Sequence, residues 1–166
     1  SAMETKARKV RQAEPEVVVI ISPHAPLFAS AFSIWELPEM QGDFAGFGAP
    51  DVSLSFKLDL ALAARIAARE ERLVRLNRST AGEYDLPVRL DHGCLVPLYY
   101  LKQAGVAAPI LPLGMSLLPS LELYKFGRSI KDAVSELGRR AVVIASGDLS
   151  HALTEDAPCG FSPQGA

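Results

Sequence analysis

The stretch that decides the fold reads EVVVIISPHAP, at positions 16–26. Residues 17–21 form an unbroken β-branched run with no polar alternation, which is typical of a strand covered on both faces in a parallel sheet. Pro23 and Pro26 lack backbone donors and force an extended, irregular turn directly after this run. His24 is therefore predicted to lie just beyond the carboxyl end of a buried strand.

The sequence after this strand predicts three helices. Residues 58–76 contain no Gly or Pro and are rich in Ala, Leu, Arg and Glu, so we expect one long helix followed by a polar loop at 77–82. A short helix is expected over 95–103, with Pro97 in its first turn. Residues 120–137 repeat apolar side chains at spacings of three and four, which predicts an amphipathic helix with Ser120 as its cap.

Two further strands are predicted, at 109–113 and 141–145, and the second is expected to be buried. Residues 28–56 are aromatic and Gly-rich, which favours a hairpin or lid-like loop, or equally a surface excursion with a few buried aromatic side chains. The alternation of strands and helices predicts the α/β class, with three layers (α/β/α) around a mainly parallel or mixed central sheet.

The bulk properties fit one globular domain over residues 1–166, in which Ser1 and Ala2 ahead of Met3 are interpreted as a tag remnant. The formal charge of −2 gives no support to nucleic-acid binding. Without a signal sequence or an apolar run of ~20 residues, a cytoplasmic location is expected. Cys94 and Cys159 have no CxxC spacing, which favours reduced thiols over a zinc knuckle.

The residues suited to chemistry are the three histidines, His24, His92 and His151, each within a loop or strand-end motif that contains Pro or Gly. Loops at the carboxyl ends of strands converge on the ligand-binding crevice of an open α/β sheet, so the three imidazoles are expected to meet. Asp148 is spaced to orient His151, and histidines with a carboxylate are typical of non-haem Fe(II) sites. The alternative is that each histidine merely caps a strand or satisfies a loop carbonyl.

A Ser/His/Asp hydrolase is a rival interpretation, because Ser146 and Ser150 lie close in sequence to His151 and Asp148. The chain lacks a GxSxG elbow, however, and in known triads the three groups come from well-separated parts of the chain. The hydrolase therefore ranks below the metal site.

Four motifs follow one another along the chain: IISPHAP at 20–26, GDFAGFGAP at 42–50, LDHGCLVPLY at 90–99 and ASGDLSH at 145–151. In this order they resemble the motifs of the class III extradiol ring-cleavage dioxygenases, the LigB-like superfamily. The similarity runs from about Val17 to the end, and it is strongest to the branch of AmmeMemoRadiSam system protein A, which is related to Memo. Four ordered motifs are far more specific than any one of them.

This resemblance implies a LigB-like domain with a ferrous site that opens a dihydroxylated aromatic ring with O2. His24 matches a metal-ligand histidine, and His151 matches the second-sphere histidine proposed as the acid/base. His92 matches a further pocket histidine that holds substrate or oxygen. Ser22 is assigned with His92 to substrate binding, and Asp148 joins His151 and His92 as a catalytic residue.

The chain departs from the family pattern in two places. Family members carry an upstream His-Pro-Pro strand end, yet no histidine precedes His24. They also carry a ligand glutamate well beyond the last motif, whereas only 15 residues follow His151, and Glu155 among them fits a solvated loop residue better than a ligand. The Fe(II) site is thus expected to be incomplete in a domain that is shortened at both ends.

Two functions are carried forward from the sequence. The first is a non-haem Fe(II)-dependent oxidoreductase whose partners are a small aromatic substrate and O2, with no nucleic acid and no membrane, and with a homo-oligomer left open. The alternative is a non-catalytic metal- or ligand-binding accessory protein of the Memo-like kind, or an inactive fragment of the enzyme.

Overall fold

The structure, a computed structural model, describes residues 1–147 and 150–165. The strands are β1 (Val17–Ser22), β2 (Phe32–Trp35), β3 (Glu39–Phe44), β4 (Ala49–Lys57), β5 (Leu73–Leu76), β6 (Ile110–Gly114) and β7 (Ala141–Ala145). The helices are α1 (Ala2–Gln12), α2 (Leu60–Ala67), α3 (Arg78–Glu83), α4 (His92–Gln103) and α5 (Ser120–Glu136).

The central sheet is mixed and has the strand order β5-β2-β6-β1-β7. Strand β1 pairs in parallel with β6 and β7, whereas β2 pairs antiparallel with β6 and parallel with β5. At the carboxyl end of β1, Ser22 lies opposite Gly114 and Ile21 lies opposite Ala145. The ends of β1, β6 and β7 therefore share one edge, as the sequence predicted for the segment that carries His24.

Strand β1 is buried on both faces, which explains its lack of polar alternation. Val18 and Ile20 belong to a core shared with α1 and α4, and Val17 and Val19 belong to a second core shared with α2 and α5. The predicted three-layer α/β/α arrangement is confirmed. Within the described part of the chain, no helix is both long enough and apolar enough to cross a bilayer.

The prediction of one long helix over residues 58–76 is wrong. Helix α2 ends at Ala67, and residues 73–76 form β5, which pairs in parallel with β2 and buries Leu76 completely. Sheet pairing and burial override the high helix propensity of this segment. The expected polar loop at 77–82 is also wrong, because the Asn77 side chain accepts hydrogen bonds from the backbone N–H of Ser79 and Thr80 and so begins α3.

Three smaller expectations are corrected. Strand β7 has the predicted bounds, but it lies at the sheet edge, where it pairs only with β1 among the described strands and leaves Val143 56% exposed. Helix α4 begins at His92 rather than at residue 95, which places Pro97 inside the helix and beyond its first turn. Helix α5 is confirmed, although its cap is Pro119.

The aromatic, Gly-rich segment contributes to two sheets. Strand β2 belongs to the central sheet, whereas β3 and β4 form the predicted hairpin, with a 3-10 turn at Ala45–Phe47. Gly48 follows this turn with a positive φ of 77°, which glycine adopts at little cost. Because Met40 and Leu54 are buried in the core next to α4, the hairpin is not a mere surface excursion.

Candidate active site

A cavity of about 360 Å³ opens beside the carboxyl end of β1. Three segments supply most of its wall: the loop after β1, the turn of the β3–β4 hairpin and the loop that leads into α4. The lining includes His24, Pro26, Trp35, Asp43, Phe47, Arg89, Asp91 and His92. The cavity thus forms where the strand-end rule predicts a ligand site.

Two of the three histidines meet at this cavity. The ring centroids of His24 and His92 are 3.9 Å apart, and their planes are tilted by 39°. His24 is exposed in the loop after β1, whereas His92 is half-buried as the first residue of α4. Phe47, in the hairpin turn, has its ring centroid 5.1 Å from that of His92. The fold therefore brings together two imidazoles that are far apart in sequence.

A buried hydrogen-bond network underlies the two histidines. The Ser22 hydroxyl, on a residue that is 1% exposed, donates to Asp91 Oδ1 at 2.5 Å and accepts from the backbone N–H of His24 at 3.1 Å. Asp91 is also the N-cap of α4, since the same Oδ1 accepts from the backbone N–H of Cys94 at 3.1 Å. One carboxylate oxygen therefore joins the end of β1 to the start of α4.

Gly93 allows these two segments to come so close. A Cβ atom at this position would overlap the Ser22 hydroxyl and would lie 3.0 Å from Asp91 Oδ1 and 3.2 Å from His24 Cδ2. Any larger residue would force the first turn of α4 away from β1. The absence of a side chain at position 93 is thus a requirement of the histidine pair.

The other predicted site residues are less closely tied to the cavity. His151 is exposed beyond β7 and is not among the described residues that line the cavity. The backbone N–H of Ser146 donates to the carbonyl of Ile21 at 2.8 Å, so the segment that leads to His151 begins at the same sheet edge as the loop of His24. Asp148 lies outside the described residues. The roles of His151 and Asp148 stay predictions.

Ser22 lies beneath the histidine pair rather than in the described cavity wall, and its hydroxyl is engaged by Asp91. Its assignment to substrate binding stays a prediction. Cys94 is buried in the first turn of α4, and burial, together with the charge of Asp91, raises the pKa of its thiol. Cys94 is therefore a packed, protonated thiol rather than a nucleophile.

Three residues of the cavity were missed as site residues in the sequence: Asp91, Arg89 and Phe47. Asp91 had a usable signal, because an aspartate directly before a helical segment is a preferred N-cap. Phe47 lies in the Gly-rich second motif, where the sequence predicts a hairpin or lid-like loop or a surface excursion and assigns no site residue. Arg89 had no local signal, since only the folded chain shows that it faces the same cavity as the histidines.

The donor set for a metal ion is partial. Over residues 1–147 and 150–165, no three His, Cys, Asp or Glu side chains form a group that could hold a metal. His24 and His92 provide one pair of imidazoles, and imidazole nitrogen is a suitable donor for iron, zinc and copper. These residues therefore do not fit a complete three-ligand site.

Comparisons with known proteins agree with the motifs. A family model described as "Catalytic LigB subunit of aromatic ring-opening dioxygenase" matches residues 1–164. Protein CA_C1420 of Clostridium acetobutylicum is 36% identical over 168 residues, which cover 99% of this chain and 36% of that protein. A MEMO1 family protein of Pyrococcus furiosus is 28% identical over 82% of this chain and 42% of its own length.

A ring-cleaving enzyme is also among the relatives. The 2,3-dihydroxyphenylpropionate/2,3-dihydroxicinnamic acid 1,2-dioxygenase of Azotobacter vinelandii is 26% identical over 86% of this chain and 46% of its own length. The chain thus spans less than half the length of each of these three relatives. The activities of the full-length relatives are therefore only proposed for this chain.

Proposed function

Because the chain belongs to the LigB family of aromatic ring-opening dioxygenases, as its four motifs predicted, we propose that it acts as a non-haem Fe(II)-dependent oxidoreductase that opens a catechol-type ring with O2. The observation that supports this function is the pair formed by His24 and His92. Their rings lie 3.9 Å apart at a cavity beside the end of a buried strand. Both residues belong to motifs that resemble those of the family.

The cavity suits a small aromatic molecule. Its volume of about 360 Å³ falls in the usual range for small-molecule sites, roughly 300–1,000 Å³. Phe47, which is exposed, lines it and offers aromatic surface against which a substrate ring can pack. The relative from Azotobacter vinelandii is named for dihydroxyphenyl substrates, and we carry the dihydroxyphenyl ring to this chain as the proposed substrate class.

Iron is the proposed cofactor, since the dioxygenases of this family are generally iron-dependent. We assign His24 as one ligand, because its imidazole is exposed at the cavity. His24 and His92 do not complete a three-ligand set among the described residues, and a metal held by too few protein ligands binds weakly. The proposal therefore requires further donors from outside residues 1–147 and 150–165.

The remaining roles concern protons and binding. We assign His92 to hydrogen bonding with the substrate or with oxygen, since it faces the cavity beside His24. We assign His151 to proton transfer, oriented by Asp148, because it matches the histidine of the last motif that the family resemblance implies as the acid/base. His151→Ala with full ring-cleaving turnover would contradict the second assignment.

The test is made on a polypeptide that contains this chain and can supply the further donors. It is loaded anaerobically with Fe(II), a catechol and then O2 are added, and the coloured ring-opened product is detected by absorbance. We expect turnover that His24→Ala removes and that Lys131→Ala preserves, because Lys131 is an exposed residue of α5 on the opposite face of the sheet. Loss of the product signal in both variants, or in neither, would contradict the role of His24.

A second candidate function is supported by the similarity to MEMO1 family proteins. In that case, the same cavity holds a metal ion or a ligand without ring cleavage. Metal analysis and calorimetry separate the two candidates, because an accessory protein would bind Fe(II) or a catechol and yield no product with any catechol tested. Product formation in the loaded wild-type chain would exclude this second candidate.

A further inference from the structure

Strand β7 at the sheet edge has backbone groups that point away from the sheet. The Arg140 carbonyl accepts from the N–H of Glu16, and the N–H of Ser146 donates to the carbonyl of Ile21, both at 2.8 Å. Because backbone directions alternate along a strand, the even-numbered residues of β7 face β1 and the odd-numbered ones face outward. The outward residues are Ala141, Val143 and Ala145. Within the described part of the chain, no backbone hydrogen bond reaches their N–H and C=O groups.

Strand β7 also lacks the features that usually keep an exposed edge from pairing. Its five residues, AVVIA, include no charge, proline or glycine, and Val143 at the centre is 56% exposed. Natural sheets protect their edges with charged side chains, prolines or bulges. The opposite edge, β5, has such protection, since it carries Arg75, whose exposed guanidinium forms an ion pair with Glu36. Of the two edges, β7 is therefore the one suited to pairing with another strand.

An apolar groove of about 640 Å³ lies beside β7, on the face of the sheet that carries α1 and α4. Val142 and Ile144 line it from the strand, and the two helices contribute Met3, Val10, Val96 and Tyr100. Lys6 and Lys9 are the charged residues of this lining, and both belong to α1. A strand that pairs with β7 would therefore place its side chains on this face next to apolar surface.

We propose that this edge is the interface of a homodimer, in which β7 pairs antiparallel with β7 of a second copy about a twofold axis at Val143. Val143 then lies opposite Val143 of the second copy and exchanges both backbone hydrogen bonds with it, because its N–H and C=O point outward. The inference does not depend on the proposed function, since it concerns a surface outside the cavity of the histidine pair.

A second copy is the occupant because β7 is complementary to itself in this register. Val142 lies opposite Ile144, and Ala141 lies opposite Ala145, so every pair across the axis is apolar. The next pair joins Arg140 to Ser146, and therefore no like charges meet. Arg140 is moreover paired with Glu16 of its own chain. Such a patch, which matches its own copy, is what a twofold dimer requires.

The size of the interface sets the expected affinity. Stable interfaces bury about 1,200–2,000 Å² in total, and smaller ones are weak or transient. Two strands of five residues bury less than this by themselves, so the side chains along the groove have to contribute. We expect a reversible dimer with a dissociation constant of roughly 1–100 µM.

Sedimentation velocity tests the dimer over chain concentrations of about 1–300 µM, a range that brackets the expected dissociation constant. The mass of the wild type should rise from that of a monomer to that of a dimer. Val143→Lys places two like charges opposite each other at the axis and should raise the dissociation constant by at least about 10-fold. Leu117→Lys is the matched control, because Leu117 is 69% exposed in the loop after β6, and it should dimerise like the wild type.

Amide hydrogen exchange followed by NMR tests the strand and its direction. When about nine-tenths of the chain is dimeric, the N–H groups of the outward residues should exchange about 10-fold more slowly than in the dilute monomer, because they exchange only from the remaining monomer. The N–H groups of Val142 and Ile144 face β1 and serve as internal controls. This measurement needs no variant, so it tests the proposal even if Val143→Lys does not fold.

Three results would overturn the proposal. A wild type that stays monomeric up to about 300 µM would do so, and would leave the edge to the other occupant, a further segment of a longer polypeptide. Dimerisation without slower exchange of the outward N–H groups would also do so, because the second copy would then contact another surface. Equal dimerisation, or an equal loss of the dimer, in Val143→Lys and Leu117→Lys would be the third.

Discussion

The hydrogen bond between Ser22 and Asp91 should contribute substantially to stability, because it joins the two segments that carry the histidine pair. Ser22 is 1% exposed, and its hydroxyl donates to Asp91 Oδ1 at 2.5 Å. A hydrogen bond to a charged group contributes about 1.5–3 kcal/mol, and an N-cap contributes about 1 kcal/mol. We therefore expect Ser22→Ala to lower the free energy of unfolding by about 2 kcal/mol and Asp91→Ala by about 3 kcal/mol.

A double-mutant cycle isolates the bond itself. Urea denaturation of the wild type, the two single variants and the double variant should give a coupling energy of about 1.5–2.5 kcal/mol. Asp91→Ala should also lower the melting temperature by roughly 6–12 °C, since about 2–4 °C accompanies each kcal/mol in a domain of this size. Asn77→Ala is the matched control, because it removes the N-cap of α3, which has no buried serine partner.

A coupling energy below about 0.5 kcal/mol would contradict this prediction, because the effects of two independent substitutions add to within about that value. Asp91→Ala would also contradict it by destabilising the protein no more than Asn77→Ala, for which capping alone predicts a loss of about 1 kcal/mol. In either case, the short contact between Ser22 and Asp91 would be a consequence of packing at this position and not a cause of its stability.

Two other predictions concern stability and thiol chemistry. In urea denaturation, Arg139→Ala should lower the free energy of unfolding by about 2–4 kcal/mol, because it leaves the buried Asp59 carboxylate without its ion pair. Arg140→Ala removes an exposed ion pair and should lower the free energy of unfolding by at most about 1 kcal/mol. Equal losses in the two variants would contradict this prediction. Iodoacetamide should modify the exposed Cys159 and spare Cys94 in mass spectrometry of the folded protein. Burial raises the pKa of the Cys94 thiol, so above the ordinary thiol value of about 8.5 only the unfolded chain loses this proton. The free energy of unfolding should therefore fall as the pH rises above that value. Cys94→Ala should remove this dependence of the free energy of unfolding on pH.

The elements that were predicted correctly are those whose own residues show the pattern of their structure. Residues 17–21 lack polar alternation because both faces of β1 are covered, and that pattern is visible in the sequence. Residues 73–76 had no such signal, since they continue a segment of high helix propensity and become a strand only by pairing with β2. The edge position of β7 was likewise invisible, because the order of strands in a sheet depends on contacts between distant segments.

The candidate site likewise combines features that the sequence predicts with features that only the folded chain reveals. The meeting of His24 and His92 followed from the rule that loops gather at the carboxyl ends of parallel strands. The bond between Ser22 and Asp91 joins residues 69 positions apart, and neither residue shows from its own neighbours which partner it has. Arg89 is similar, because an arginine in a loop is usually solvated and only the fold places this one at the cavity.

The cause of the histidine pairing lies in the backbone and not in the rings. Contact between two aromatic rings contributes about 0.5–1.5 kcal/mol, less than the combined 2.5–4 kcal/mol expected from the bond and cap made by Asp91. Ser22 and Asp91 already fix β1 and α4 at a separation that leaves no room for a Cβ at Gly93. His92 follows Asp91 directly, and the backbone N–H of His24 donates to the Ser22 hydroxyl, so the bond between Ser22 and Asp91 also holds the two imidazoles beside each other. A ligand that binds both rings finds them already in place.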